Sequence, residues 1–311
     1  MLVFSLIIPC FNEEKNIKAM YEAIVEAFFD CGNDYEMVFV NDGSTDGTAR
    51  EIKELLKNSK ERITYLDFSR NFGKEAAILA GLENCEGDYA VIIDGDLQQP
   101  PKVALEMFNY LSSHPDCDCV TAYQEKRIEN KCTSFVKGLF YKVINKISEV
   151  EFISNASDFR AMKRNMIDAV LSLEESLRFS KGIFAWTGFH VHFIPYIADK
   201  RNAGETKWTI KKLFRYALDG IIAFSTKLLK IPSILSFLTL VAAFVFMITE
   251  KLMNTFDDTS LIVFMILLMS SLIMFSISIV SIYIRCIYTE TKQRPTYILR
   301  EKVKSQKIEK Q

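Results

Sequence analysis

"YAVIIDGDLQQPP", residues 89–101, drives a run of β-formers into two acids one residue apart, then into a glutamine pair and two prolines. Tyr89–Ile93 has the composition and length of a buried strand, and the Asp-Gly-Asp that follows ends it. Residues two apart on an extended chain face the same way. Asp94 and Asp96 can therefore present their carboxylates together, with Gln98 beyond. Two readings stay open at this point. Hard oxygen ligands on a short loop suit Mg2+ or Mn2+, which share coordination with substrate phosphates. With equal weight, the acids form a polar turn in which Asp96 caps a helix before Pro100.

Outward from this stretch, strand and helix patterns alternate over the first 125 or so residues. "VFSLIIP", "EMVFV", "ITYLDF" and "CDCVTAY" read as further strands. "EEKNIKAMYEAIVEAFF" reads as a helix with Asn12 as candidate cap, and "KEAAILAGLE" and "KVALEMFNYL" as two more. "NDGSTDGT" gathers turn and cap residues. Such βα alternation predicts an α/β fold whose largely parallel sheet is covered on both faces. Ligands bind at the carboxyl ends of the strands in sheets of this kind. Those ends carry Asn12, Glu13, Asp42, Ser69, Arg70, Asp94 and Asp96. Dinucleotide and P-loop glycine motifs are absent, and "DGDLQQ" lacks the spacing of a calcium loop.

Two later segments have a different character. Residues 231–249 and 259–284 contain no charged residue, and each reaches the roughly 20 residues needed to cross the hydrocarbon of a bilayer. Lys227 and Lys230 precede the first, Arg285, Lys292 and Arg294 follow the second, and the intervening loop is acidic. The positive-inside rule then places both ends in the cytoplasm. Residues 208–230 have a basic amphipathic pattern suited to a membrane interface. The expected organisation is a cytoplasmic domain over 1–207, the juxtamembrane helix over 208–230, and a two-helix transmembrane hairpin over 231–284. Its helices run over about 231–250 and 259–284, and a basic cytoplasmic tail covers 285–311.

The 311 residues carry a net charge of −1, which asks for no nucleic acid. Seven cysteines, odd in number and without a C-x-x-C pair, fit a reducing compartment and no zinc site. "MLVFSLIIPCFNEEKN" lacks the basic start of a signal peptide and reads as the first strand. The three histidines follow no catalytic spacing, and His190 and His192 fall in the strand-like "FHVHFIPYI".

Taken in order, "SLIIPCFNEEKNI", "VFVNDGSTDGT", "SRNFGKEAAILAGL", "DGDLQQPP", "SDFRAMKR" and "RNAGETKW" resemble family 2 glycosyltransferases with a GT-A fold. Within them the chain is similar to the polyprenyl-phosphate type, which includes dolichol-phosphate mannosyltransferase and bactoprenol glucosyltransferases. The resemblance runs through nearly the whole chain. It implies transfer of a sugar from a nucleotide sugar, UDP-glucose first among them, to a polyprenyl (undecaprenyl) phosphate, with inversion and a Mg2+ or Mn2+ cofactor. Pro9, Asn12 and Glu13 would line the nucleotide pocket, Asp42 would touch base or ribose, and Lys74 would sit near the nucleotide or its diphosphate. Asn41 stands where the family often has an acid, so the nucleoside role is carried only to Asp42. Asp96 and Gln98 would hold the ion, with Asp94 close to donor or metal. Asp158 aligns with the acid usually assigned as a base.

A phosphate monoester has a second pKa near 6, so its oxygen is already largely anionic and needs little help from a base. Orienting the acceptor or balancing charge is the preferred role for Asp158, and the bland alternative is a cap for a helix from about residue 160. An anionic acceptor needs cations, and Arg127, Lys137, Arg160 and Arg201 are the candidates for its phosphate. Two rivals differ in class. A processive polysaccharide synthase would carry more spans and a Q-x-x-R-W motif, and no Arg-Trp pair exists here. A non-catalytic membrane protein that binds nucleotide sugar or lipid is the other. Oligomeric state is left open.

Overall fold

A computed structural model describes residues 3–124, 156–197 apart from 174, 176 and 177, the isolated positions 241 and 245, and 258–305. Arg127, Lys137, Arg201, the juxtamembrane segment and the first expected span lie outside the described residues.

Along the chain run β1 (Val3–Cys10), α1 (Ile17–Phe28), β2 (Asp34–Asn41), α2 (Thr48–Asn58), β3 (Arg62–Phe68), α3 (Lys74–Asn84) and β4 (Tyr89–Ile92). They are followed by α4 (Pro101–Ser113), β5 (Cys119–Gln124), β6 (Ala156–Lys163), α5 (Arg164–Leu171), α6 (Ser180–Trp186), β7 (Val191–Tyr196), α7 (Asp258–Thr291) and β8 (Leu299–Lys304). The strands form one sheet in the order β7-β5-β6-β4-β1-β2-β3-β8. Its centre, β4-β1-β2-β3, is parallel, as expected. The flanks are mixed: β6 runs antiparallel to β4 and β5, and β8 runs antiparallel to β3.

The continuous apolar run of β1 follows from burial on both faces. Phe4, Leu6, Ile8 and Cys10 join one core with Ile17, Met20, Ile24 and Phe28 of α1 and Phe108 of α4. Ile7 points the other way, into a second core with Ala77 and Ala80 of α3, Ile167 of α5 and Phe184 of α6. A strand covered on both sides has no polar face to alternate with.

Four local expectations change. The sequence "SDFRAMK" is strand β6, so Asp158 sits in a sheet and caps no helix. Asp96 does not cap α4 either, because that helix begins at Pro101 with Pro100 as its N-cap. Asn12 is not the cap of α1: it adopts φ +53°, and the helix starts five residues later with Asn16 as its N-cap. Leu299–Lys304, within the expected basic tail, is the sheet's edge strand. Ser69 N–H donates to Ile298 O at 3.0 Å, and the Tyr297 ring stacks on Phe68 at 4.9 Å between centroids.

Helix α7 is 34 residues long. Among the described residues no helix is long and apolar enough to cross a membrane; the first expected span lies outside them.

Candidate active site

The carboxyl ends of β1, β2, β3 and β4 lie on one edge of the sheet. Because β6 is antiparallel, its beginning, with Asp158, lies there too. The loop after β1 is stitched to the loop after β2. Asn12 N–H donates to Ser44 Oγ at 2.9 Å, Thr45 N–H donates to Asn12 Oδ1 at 2.8 Å, and Glu13 N–H donates to Thr48 Oγ1 at 2.8 Å. The Glu13 carboxylate accepts the Asn16 amide at 2.6 Å. Gly95 packs close beneath: a Cβ there would lie 3.4 Å from both Cys10 Sγ and Pro9 O. The Asp94–Gln99 loop and the Pro9–Glu13 segment therefore share one wall.

Asp42 is buried at the end of β2, and the loop after β3 wraps its carboxylate. Phe72 N–H donates to Oδ1 at 2.6 Å, Gly73 N–H donates to both oxygens at 3.1 and 3.0 Å, and Asn71 Nδ2 donates to Oδ2 at 2.9 Å. Burial raises its pKa, against the opposing pull of the Phe72 and Gly73 amides. Asp42 thus fixes the loop that leads directly into Lys74 at the start of α3. Gly43, at φ +61°, lets the two loops touch.

Lys74 is the hub. Its Nζ donates to Asp94 Oδ1 at 2.7 Å and to Asp158 Oδ2 at 3.0 Å. Burial alone would lower the pKa of this ammonium; the two carboxylates outweigh it and hold the group well above the usual lysine range. Asp94 is pushed up by burial and by the nearby Asp158 charge, and pulled down by Lys74. Strands β4 and β6 and helix α3 are joined here by one charge network. Asp96 lies two residues further on, its Oδ1 accepting the Gln98 N–H at 3.2 Å. Arg160, by contrast, is 5% exposed, with its guanidinium 4.1 Å over the Phe184 ring. It lies inside the α6-facing core, away from solvent.

Several residues at this edge were not singled out from the sequence. Asn71 and Gln99 hold Asp42 and Asp94, and Glu75 accepts the Ser180 N–H at 2.9 Å, tying α3 to α6. Asn41, the residue that departs from the family pattern, donates to Asp67 Oδ1 at 2.7 Å. The available signal was position: Asn41, Asn71 and Gln99 each lie within five residues of an acid at a strand end.

Residues 5–171 match the family model described as glycosyl transferase family 2. CsbB of Bacillus subtilis (strain 168) is 36% identical over 306 residues, covering 96% of this chain and 92% of that protein. The chain belongs to glycosyltransferase family 2. This family 2 glycosyltransferase is also 33% identical to a protein of Escherichia coli (strain K12) named prophage bactoprenol glucosyl transferase homolog, over 95% of this chain and 98% of that one. The bactoprenol glucosyl transferase of Shigella phage SfV is 33% identical, over 95% and 97%. Among solved structures, glucosyl-3-phosphoglycerate synthase from Mycobacterium tuberculosis, crystallised with Mn2+, UDP and glucosyl-3-phosphoglycerate, aligns with TM-score 0.48 and 17% identity. That alignment covers 71% of this chain and 78% of the synthase.

Proposed function

We propose that this glycosyltransferase moves a hexose from a nucleoside diphosphate sugar, UDP-glucose first among them, to a polyprenyl monophosphate at a membrane surface. One observation carries the reading. Lys74, Asp94 and Asp158 meet beside the "DGDLQQ" loop at the sheet's carboxyl edge, in a chain similar over 95% of its length to named bactoprenol glucosyl transferases.

The chemistry is a single displacement. A phosphate oxygen of the acceptor forms a bond to the anomeric carbon as the bond from that carbon to the diphosphate oxygen breaks, and the nucleoside diphosphate leaves with the electron pair. The configuration inverts. The attacking oxygen is already anionic at neutral pH, so no proton need be removed. Asp158 suits an orienting role, since an oxygen that already accepts an ammonium proton is weakened as a base. Lys74 keeps Asp158 and Asp94 compensated while two anionic substrates approach.

The loop after β4 offers only oxygen donors, and among the described residues no three of His, Cys, Asp or Glu close on one point. The oxygen donors of Asp96 and Gln98 suit Mg2+ or Mn2+, and these two residues would hold such an ion together with oxygens of the donor substrate. When bound, such an ion offsets the charge that grows on the departing diphosphate.

Membrane attachment is supported by α7. Ile262, Phe264, Ile266, Ile273, Ile277 and Ile284 are all more than half exposed on it, and its residues 259–284 carry no charge. Ser276 and Ser281 donate to carbonyls one turn back, at 3.0 and 2.8 Å, so these hydroxyls need no water. A hairpin with the first apolar segment, and a cytoplasmic catalytic domain, follow from the flanking charges.

The test incubates the purified full-length chain with Mg2+ or Mn2+, undecaprenyl phosphate and labelled UDP-glucose, UDP-galactose or GDP-mannose. Label extracted into the organic phase from UDP-glucose is expected, and chelation with EDTA should abolish it. No organic-phase label with any donor would overturn the proposal.

A further inference from the structure

Asp94 and Asp96 stand two residues apart on the loop after β4. Each oxygen of Asp94 already has a donor: Lys74 Nζ on Oδ1 at 2.7 Å and Gln99 Nε2 on Oδ2 at 3.1 Å. The Gln99 amide engages Asp94 a second time, because the Asp94 N–H donates to Gln99 Oε1 at 2.8 Å. This two-point clamp closes the loop into a ring from residue 94 to residue 99. Leu97 at φ +63° turns the chain back so that the ring can close, a conformation that costs a β-carbon residue about 1–2 kcal/mol. The Gln99 side chain is 5% exposed, so both of its polar groups are spent inside the protein.

We infer that Gln99 is a positioning residue that divides the labour of the two acids. By holding the Asp94 carboxylate on Lys74, it commits Asp94 to the network that reaches Asp158. Asp96 and Gln98, within the same ring, are the residues that this reading assigns to the divalent ion. The inference rests on reading this loop as the site of such an ion. It adds that two neighbouring glutamines have opposite duties: Gln98 faces the ion, and Gln99 keeps Asp94 away from it.

The experiment uses the full-length chain with Gln99→Met, which keeps the length and removes the amide. Free Mn2+ is counted by electron paramagnetic resonance in the presence of UDP, and transfer kinetics are measured in parallel. Displacing a group by about 1 Å in a reacting geometry can cost up to around a hundredfold in rate. The expected result is a fall in kcat of about tenfold, with the donor KM and the Mn2+ affinity each within about threefold of the parent. In an Asp94→Asn background, where the clamped carboxylate is gone, Gln99→Met should lower kcat no further. Gln99→Asn, which keeps the amide but cannot reach, serves if the Met variant fails to fold, and is expected to show the same pattern.

A tenfold loss of Mn2+ affinity would tie Asp94 to the ion, as a ligand or as the partner of one, and overturn the inference. So would an unchanged kcat, or a fall of equal size in the Asp94→Asn background, which would mark a structural role alone. A parent chain that binds no Mn2+ with UDP would remove the metal reading itself, a failure distinct from that of the clamp.

Discussion

Replacing Gly43 with Ala probes the contact on which the site is assembled. At φ +61° an added β-carbon carries about 1–2 kcal/mol of left-handed strain. It would also lie 2.2 Å from Arg70 C, 2.5 Å from Asn71 N and 2.7 Å from Arg70 Cα, all main-chain atoms that no side-chain rotation can clear. Forcing atoms into a filled space adds about 1–3 kcal/mol, for a sum of roughly 2–5 kcal/mol. In a domain of about 200 residues this lowers the melting temperature by roughly 5–15 °C. The displaced backbone is the one whose Phe72 and Gly73 amides grip Asp42 and which leads into Lys74. A shift of about 1 Å at a reacting geometry can cost around a hundredfold in rate. Gly32→Ala is the control: it has φ +69° with no atom within 4 Å of its added carbon, and it lies at the opposite edge of the sheet. It should lose the strain alone and keep its turnover. Thermal melts and transfer rates of the two full-length variants decide the matter. If Gly43→Ala transfers sugar at the parent rate, or the two glycines behave alike, the loop contact does not organise the site.

Lys74→Met should lower transfer by about a hundredfold while costing only about 1–2 kcal/mol of stability, since the ammonium is one-third exposed and its ion pairs are partly screened; turnover within threefold of the parent would remove Lys74 from the machinery. Glu86 is held below its ordinary carboxylate range, first by its hydrogen bond from Lys304. A carboxylate lowered in the folded state contributes its full stability above its unfolded pKa of about 4.3 and loses it as the pH falls through the folded value. Amide exchange along Leu299–Lys304 should therefore speed up below about pH 4 relative to its intrinsic rate, and Glu86→Gln should abolish that extra acid sensitivity. Truncation after Tyr297 removes β8, bares the edge of β3 and should yield a chain that aggregates on purification; a monodisperse, fully active truncate in size-exclusion chromatography would refute the edge-sealing role.

The parallel centre of the sheet was legible because its strands are buried on both faces and so read as unbroken apolar runs. Strand β6 was not, because "ASDFRAMK" places an arginine at a position that the fold buries over Phe184. A charged residue inside a sheet looks, in sequence, like a solvated one. Strand β8 was hidden for the opposite reason. Arg300, Lys302 and Lys304 occupy its exposed face, so its alternation reads as a charged tail. At the site, Asp94 and Asp96 could be found from their spacing at a strand end, while Asp158 came only from the resemblance to the family. The bonds that assign them, from Lys74 at residue 74 to an acid at 158, span distances that no local pattern encodes. Gln99 and Asn71 act on the main chain or carboxylate of another residue, and short amides in loops carry no signal of that.

Strand β8 also sets an order of events during synthesis. Ile63 N–H donates to Ser305 Oγ across 242 residues of chain, and the Arg300 guanidinium donates to Ser69 O across 231. While the ribosome is still making the apolar segments, the outer edge of β3 is an open row of amides and carbonyls, the kind of edge that recruits foreign strands. It can be closed only when the final few residues of the described chain emerge, after all of α7 has been made. Completion of the catalytic sheet is therefore the last step of assembly, and a chain that stalls or is cut within α7 carries an unsealed domain that a chaperone or protease can recognise.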